Sequence, residues 1–303
     1  MEMEQAIRKA ESLTEALSYI QRFHDKVIVV KVGGSIMDDE KSLSVILSDI
    51  VFMNYVGMQP VLVHGGGKAI NEAMEKAGLT PQWVQGRRYT DERTLAIAEN
   101  VLCNQINRFI VNFMQSQGCE AMGLHSLTSN VMVAEKTYLQ GEGGRRIDLG
   151  LVGEIKEVNA RLLHLLVQAD SIPCIATIAR DTAGRSLNVN ADTAAGAVAA
   201  AMKAEKLVVV SDTHGIRADP KDPNSLTASL TISQIDQMIQ SGAISAGMLP
   251  KVEACITALN AGCAKTHIVD GRIPHALLLE VYTEEGIGTE IVRDTTLFPH
   301  SAS

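Results

Sequence analysis

The sequence predicts an α/β fold: an open, mostly parallel sheet sandwiched by helices, arranged as two lobes behind an N-terminal helix. Three observations carry this. Val27-Ile28-Val29-Val30, Val61-Leu62-Val63 and Leu207-Val208-Val209-Val210 are short apolar runs rich in β-branched residues, the mark of strands buried on both faces. Each run ends in a loop containing glycine or small polar residues. Stretches with apolar residues at helical spacing fill most of the intervals between strands.

Element by element, Ile7, Ala10, Leu13, Leu17 and Ile20 recur at helical spacing within residues 1–25. They predict an amphipathic helix that either folds back on its own domain or packs against another subunit. After the first strand a helix is expected to about Met53, then a strand at 60–63. Ile70, Ala73, Met74 and Ala77 mark the next helix, with Gly78 as its C′ residue. From about Asp91 a helix carries Leu95, Ala98, Leu102, Ile106, Phe109 and Phe113 on one face. Residues 119–153 are less regular; 131–134 and 150–153 read as short strands around Gly141, Gly143 and Gly144, a hairpin at the sheet edge. A strand at 172–179 precedes a helix at 192–202 that is apolar nearly all round and therefore buried. A soft boundary near residue 203 separates the lobes 26–203 and 204–303. Beyond it come the strand at 207–210, a loop at 219–225 with Pro220 and Pro223, and a helix face of Met248, Val252, Cys255, Ile256 and Leu259. Lys251 sits in the first turn of that helix, just after Pro250. Strands at 267–269 and 276–281 complete the unit.

Composition narrows the function classes. With 303 residues and 46% hydrophobic content, the chain has enough apolar surface for two cores. Lys+Arg 27 against Asp+Glu 35 gives a net charge of −8, which argues against a nucleic-acid partner. The longest charge-free apolar stretch, around 193–202, is too short to span a bilayer. Met1-Glu2-Met3-Glu4 resembles neither a signal nor a transit peptide. The five cysteines (103, 119, 174, 255 and 263) form no CxxC pair and read as reduced thiols of a cytoplasmic protein. The eight histidines show no HExxH spacing, so no metal site of the protein's own is expected.

In open parallel sheets, ligands bind beyond the carboxyl ends of the strands. Lys31-Val32-Gly33-Gly34-Ser35, His64-Gly65-Gly66-Gly67 and Ser211-Asp212-Thr213-His214-Gly215 occupy that position. Adjacent glycines at a strand-to-helix junction let an anion approach backbone N–H groups, and a helix N-terminus adds a favourable dipole. Neither glycine run fits the Walker A or the dinucleotide fingerprint. Lys31 at the end of a buried strand is costly unless it meets an anion. Taken alone, Lys251, Asp192 and Arg87-Arg88 read as an ordinary surface lysine, a helix-start acid and exposed arginines. The residues by themselves therefore reach an anion- or phosphate-binding α/β enzyme.

Read together, six motifs add to this. Lys31-Val32-Gly33-Gly34-Ser35, His64-Gly65-Gly66-Gly67, Gly86-Arg87-Arg88-Tyr89-Thr90-Asp91, Asn188-Val189-Asn190-Ala191-Asp192, Ser211-Asp212-Thr213-His214-Gly215-Ile216 and Gly247-Met248-Leu249-Pro250-Lys251 stand in the order found in the amino acid kinase family. Within that family the chain is similar to the members that phosphorylate the side-chain carboxylate of N-acetyl-L-glutamate with ATP and Mg²⁺, the second step of arginine biosynthesis. The resemblance implies that Lys31 and Lys251 stabilise the transferring phosphoryl group and that Asp192 holds both lysines. It implies that the N–H groups of Gly34, Gly66 and Gly67 cradle the γ-phosphate and that Arg88 and Asn188 grip the substrate's α-carboxylate. Asp212, Gly247 and Met248 would line the nucleotide site, and Mg²⁺ would be carried by ATP.

The segment Ala16-Leu17-Ser18-Tyr19-Ile20 and the tail from His275 to Thr289 resemble arginine-inhibited hexameric members, built as a trimer of dimers. This implies an arginine site with Glu280 facing the effector and Tyr19 and Gly286 lining it. By the same resemblance 1–25 is an oligomerisation helix, 26–203 the substrate-binding and dimerisation lobe, and 204–303 the nucleotide lobe. The family's usual Gly-Leu-Arg-Val-Thr stands here as Gly86-Arg87-Arg88-Tyr89-Thr90. An Arg-Tyr-Thr string also occurs in sister kinases acting on aminoadipate attached to a carrier protein, which keeps that substrate class open. Ala246 replaces a glycine before Met248, and 125–130 lacks the family's Gly-x-Asp-Gly. A catalytically idle arginine sensor is the third reading, and the intact trio Lys31, Asp192 and Lys251 counts against it.

Overall fold

The computed structural model describes residues 2–141, 144–219, 222, 224–283 and 286–294. It begins with helix α1 (Glu2–Phe23), strand β1 (Val27–Val32), a 3-10 turn at Gly34–Asp38 and α2 (Glu40–Tyr55). Then come β2 (Gln59–His64), α3 (Gly67–Lys76) and a small hairpin of β3 (Trp83–Val84) and β4 (Arg87–Arg88). α4 (Glu92–Glu99), a π-helical stretch at Asn100–Asn107 and α5 (Arg108–Ser116) follow without a break. The middle of the chain holds β5 (Ala121–Leu124), β6 (Met132–Gln140), β7 (Arg146–Val158), α6 (Ala160–Gln168), β8 (Ile172–Ala176), β9 (Ile178–Arg180), β10 (Ser186–Asn188) and α7 (Ala191–Met202). The remainder is β11 (Lys206–Ser211), β12 (Ser229–Thr231), α8 (Ile232–Gln240), α9 (Leu249–Asn260), β13 (Lys265–Asp270), α10 (Ala276–Tyr282) and β14 (Thr289–Val292). Gly143 of the expected hairpin, Pro220 and Pro223 of the expected loop, and Glu284 and Glu285 of the tail motif lie outside the described residues.

Eight strands form one sheet in the order β12-β14-β13-β11-β1-β2-β8-β5, parallel throughout except where β13 meets β14. The sheet runs unbroken past residue 203, because β1 pairs with both β2 and β11 and Lys31 lies opposite Val63 and Val209. Alternation along the strands divides the core. Val27, Val29, Val61, Val63, Leu207 and Val209 pack on one face with residues of α6, α7 and α9. Ile28, Val30, Val32, Leu62, Val208 and Val210 pack on the other with α2, α5 and α10. Burying each of these side chains stabilises the fold by roughly 1.5–3 kcal/mol.

The expectation of an open, mostly parallel sheet between helices is met, with four local corrections. The helix expected from Asp91 does start there, Asp91 capping it by accepting from the Thr94 N–H, but it passes through the π-helical stretch. The wider turn rotates everything beyond it, so Ile110 and Met114 face the core and Phe109 is exposed. The hairpin expected at the sheet edge is instead part of a closed four-stranded barrel, β10-β7-β6-β9, and the strand expected at 172–179 divides into β8 in the sheet and β9 in the barrel. One edge of the main sheet is β5, which lies in the segment read as irregular, and the other is β12. The stretch 276–281 is helix α10, not a strand: Leu277 and Val281, four residues apart, are buried while Leu279 is exposed, and β14 takes the place in the sheet.

α1 is the amphipathic helix expected, and its apolar stripe stays open, with Ile7 50%, Leu13 70% and Leu17 49% exposed. Its C-terminal turn is anchored by the buried Phe23 and by Tyr19, whose ring meets that of Tyr282 edge-on at 6.2 Å. α7 is buried as expected and crosses α9 closely at Gly196, where a β-carbon would stand 2.8 Å from the Ala254 carbonyl oxygen. That approach brings the N-terminal turns of α7 and α9 together.

Candidate active site

The end of β1, the first turn of α7 and the first turn of α9 deliver Lys31, Asp192 and Lys251 to one point. Asn190 caps α7, its Oδ1 accepting from the N–H groups of Asp192 at 2.9 Å and Thr193 at 3.0 Å. This fixes the Asp192 backbone. The Asp192 carboxylate then meets both lysines, Oδ1 at 2.8 Å from Lys31 Nζ and Oδ2 at 3.2 Å from Lys251 Nζ. Lys31 and Asp192 are 4% and 5% exposed, so water screens their attraction little. Burial pushes the Asp192 carboxyl up, but the charges of Lys31 and Lys251 together outweigh burial and hold it below the ordinary carboxylate range. Burial lowers the Lys31 ammonium, with Lys251 adding to the effect and Asp192 opposing it.

These groups line a cavity of about 890 Å³, within the range of small-molecule sites. Gly34, Gly66, Gly67, Arg88 and Asn188 are on the same wall system. Gly66 caps α3 and Gly67 is its first residue, so their N–H groups have no intrahelical acceptor. Gly34 has φ +69 at the start of the 3-10 turn, a conformation that suits glycine. The Arg88 guanidinium donates to the Gly67 carbonyl at 2.9 Å and lies 4.6 Å over the Trp83 ring. No carboxylate pairs with it among the described residues. Burial lowers its pKa, yet a guanidinium stays charged. Asn188 Nδ2 donates to Thr90 Oγ1 at 3.2 Å, leaving its carbonyl oxygen for other partners.

Other expected residues stand apart from that wall. Asp212 lies behind the glycine turn, accepting from Ser35 Oγ at 2.9 Å. Gly247 and Met248 precede α9 and do not line the cavity, and the Met248 side chain is in the core. Sequence reasoning assigned no role to Gly33, yet a β-carbon there would collide with Lys31 Nζ, so this glycine clears the path of the lysine side chain. It quoted His64 only within the glycine motif, with no role of its own, and did not single out Asn107; the two meet behind the glycine loop. Among the described residues no cluster of three or more His, Cys, Asp or Glu side chains could hold a metal ion.

A second cavity, about 860 Å³, lies between the end of α1, β13 and α10 and is lined by Tyr19, Glu280 and Gly286 among others. Both Glu280 oxygens already have partners: Oε1 accepts from His267 Nδ1 at 2.6 Å, and Oε2 from the N–H groups of Ile287 at 2.7 Å and Gly288 at 3.0 Å. Burial raises the Glu280 carboxyl, but these donors outweigh it and the acid lies below its ordinary value.

The pattern of the amino acid kinase family matches residues 26–270. Acetylglutamate kinase from Methanococcus vannielii is 48% identical over 290 residues, 95% of this chain and 99% of that protein. Acetylglutamate kinase from Methanocaldococcus jannaschii is 47% identical over 298 residues, 97% of this chain and 99% of that one. Among solved structures, N-acetylglutamate synthase from Neisseria gonorrhoeae, complexed with coenzyme A and N-acetyl-glutamate, superposes with a TM-score of 0.82 at 22% identity. That likeness covers 94% of this chain and 63% of the synthase, and it is a likeness of fold. No helix among the described residues is long and apolar enough to cross a membrane.

Proposed function

The chain belongs to the amino acid kinase family, and from that premise we propose that it transfers the γ-phosphoryl group of ATP to the side-chain carboxylate of N-acetyl-L-glutamate, yielding the acyl phosphate of arginine biosynthesis. The single observation that carries the mechanism is Asp192 bridging Lys31 and Lys251 beside glycine N–H groups. A carboxylate nucleophile is ionised at neutral pH, so no general base is required. One of its oxygens forms a bond to the γ-phosphorus while the bond from that phosphorus to the β,γ-bridging oxygen breaks, and ADP leaves with the electron pair. The task is to bring two anions together and to neutralise charge on the equatorial oxygens of a loose transition state. Lys31 and Lys251 supply that charge. Asp192 sets their separation and favours the protonated form of Lys31.

In this reading the N–H groups of Gly34, Gly66 and Gly67 hold the γ-phosphate, while Arg88 and Asn188 take the substrate's α-carboxylate. The lobe 26–203 holds the acceptor, and 204–303, with Asp212, Gly247 and Met248, holds the nucleotide. Mg²⁺, bound through ATP oxygens and water, adds neutralising charge when the nucleotide is present. The second cavity takes arginine as a feedback effector, with Tyr19, Glu280 and Gly286 on its wall. The exposed stripe of α1 joins dimers into a hexamer, and the enzyme works in the cytoplasm.

The test is turnover of the purified protein with ATP, Mg²⁺ and N-acetylglutamate, the acyl phosphate being trapped with hydroxylamine. Parallel reactions offer an aminoadipate derivative. Hydroxamate formed preferentially from N-acetylglutamate supports the proposal. Preference for aminoadipate would reassign the substrate, and no turnover on either acid would remove the kinase reading.

A further inference from the structure

Behind the glycine loop lies a polar contact that the phosphoryl-transfer roles do not use. His64, the last residue of β2, is fully buried. Its Nε2 is 2.9 Å from Asn107 Nδ2, and its Nδ1 is 3.2 Å from the carbonyl oxygen of Gly65. Asn107 closes the π-helical stretch, and the same Nδ2 lies 2.9 Å from the Cys174 carbonyl oxygen. A backbone carbonyl can only accept, so this end of the Asn107 amide is its NH₂ group. His64 Nε2 must then accept, which leaves the ring proton on Nδ1, donating to Gly65. Burial draws the imidazole down to about 4, so it is neutral at working pH and this tautomer persists.

The carbonyl of Gly65 and the N–H of Gly66 belong to one peptide group, trans like every described peptide. In a planar trans peptide the two point in opposite directions, so fixing the carbonyl fixes the N–H. The other end of Gly65 is also tied, its N–H donating to the Val32 carbonyl at 3.1 Å. The N–H of Gly66 has no acceptor among the described residues. The π-helical stretch further restrains the loop, since a β-carbon on Gly66 would collide with Ile106 and stand 2.9 Å from Leu102.

We propose that His64, oriented by Asn107, is a positioning residue that aims the Gly66 N–H at the transferring phosphoryl group. The proposal rests on the kinase reading and deepens it. His64 touches no substrate and acts through the peptide that it holds. Rate enhancement by preorganised donors depends on direction as well as distance, so a loosened peptide costs turnover more than affinity.

Two substitutions separate the imidazole's halves. In His64→Gln the side-chain oxygen replaces Nε2 as acceptor from Asn107, but the donor to Gly65 is lost. In His64→Asn the amide nitrogen stands near the place of Nδ1 and keeps that donor. The expected result is a kcat lower by about tenfold to a hundredfold in His64→Gln, with KM for N-acetylglutamate unchanged to within about twofold. His64→Asn restores most of kcat even where its melting temperature is the lower of the two. Wild-type kcat in His64→Gln overturns the proposal, as does an equal loss in both variants that follows their melting temperatures. Should His64→Gln fail to fold, Asn107→Ala, which frees the ring to change tautomer, is measured for the same split of kcat from KM. An unchanged kcat there overturns the proposal too. Failure of the kinase reading itself would show separately, as absence of turnover in the wild type.

Discussion

Lys31 Nζ lies 2.8 Å from Asp192 Oδ1, both side chains being almost wholly enclosed. A lysine placed there without its acid would be an uncompensated buried charge, and the acid without its lysine likewise. The pair gives the site a defined protonation state, and Lys251 on the second oxygen completes it.

Burial draws the Lys31 ammonium below lysine's ordinary 10.5, aided by Lys251 and opposed by Asp192. Lys31 acts as a cation, so kcat/KM declines as its proton leaves. A profile over about pH 7 to 11 should show an alkaline limb below 10.5, displaced upward in Lys31→Arg. A limb at 10.5 or above in the wild type would remove Lys31 from this role.

Asp192→Asn tests the stability of the cluster. Removing the acid leaves Lys31 buried without a counter-charge, a loss of roughly 3–5 kcal/mol. The Asp192 carboxyl is held below its ordinary 3.8, so its contribution is complete above that value and is lost as pH falls through the folded-state value. Urea unfolding should therefore show a gap between wild type and variant that is present just above pH 3.8 and narrows below it. A gap that widens as pH falls below 3.8 contradicts the ionised bridge.

Gly33→Ala addresses geometry alone. Gly33 has φ −166, extended backbone open to any residue, so alanine introduces no backbone strain. The added methyl displaces Lys31 Nζ instead. We expect kcat to fall by on the order of a hundredfold while the melting temperature moves by only a few degrees. Full activity would mean that the ammonium position is not critical.

Deleting residues 1–25 removes the exposed stripe of α1 together with Tyr19, Arg22 and Phe23 from the wall of the second cavity. Light scattering should report a fall from a hexamer to a dimer, and inhibition by arginine should disappear while basal turnover persists. An unchanged mass removes the ring, and unchanged inhibition moves the effector elsewhere.

Much of this arrangement was legible in the chain. Valine-rich runs fix strands buried on two faces, and the glycines after β1 and β2 mark the phosphate side of the sheet. Lys31 could be singled out because a lysine in such a strand needs an anion. Asp192 and Lys251 gave no local signal, since their partnership depends on α7 and α9 crossing at Gly196, a contact between distant segments. The run 276–281 lacks polar residues at most positions, so neither strand nor helix period stands out. Only the burial of Leu277, Glu280 and Val281 reveals a helical face. The π-helical stretch is likewise silent in sequence: its residues suit an ordinary helix, and only the contact of Asn107 with His64 shows what the altered phase achieves. The barrel escaped because β9 and β10 are three residues each, too short for a pattern.

In the proposed mechanism two ammonium groups spaced by one carboxylate meet the transferring phosphoryl group. The most direct measurement is a crystal structure of the protein with ADP, a planar metal-fluoride mimic of that group and N-acetylglutamate. Lys31 Nζ and Lys251 Nζ should each lie about 2.7–2.9 Å from an oxygen or fluorine of the γ-phosphoryl mimic or its bridging atom. A complex with both lysines remote from the mimic, and Asp192 still pairing them elsewhere, would contradict it.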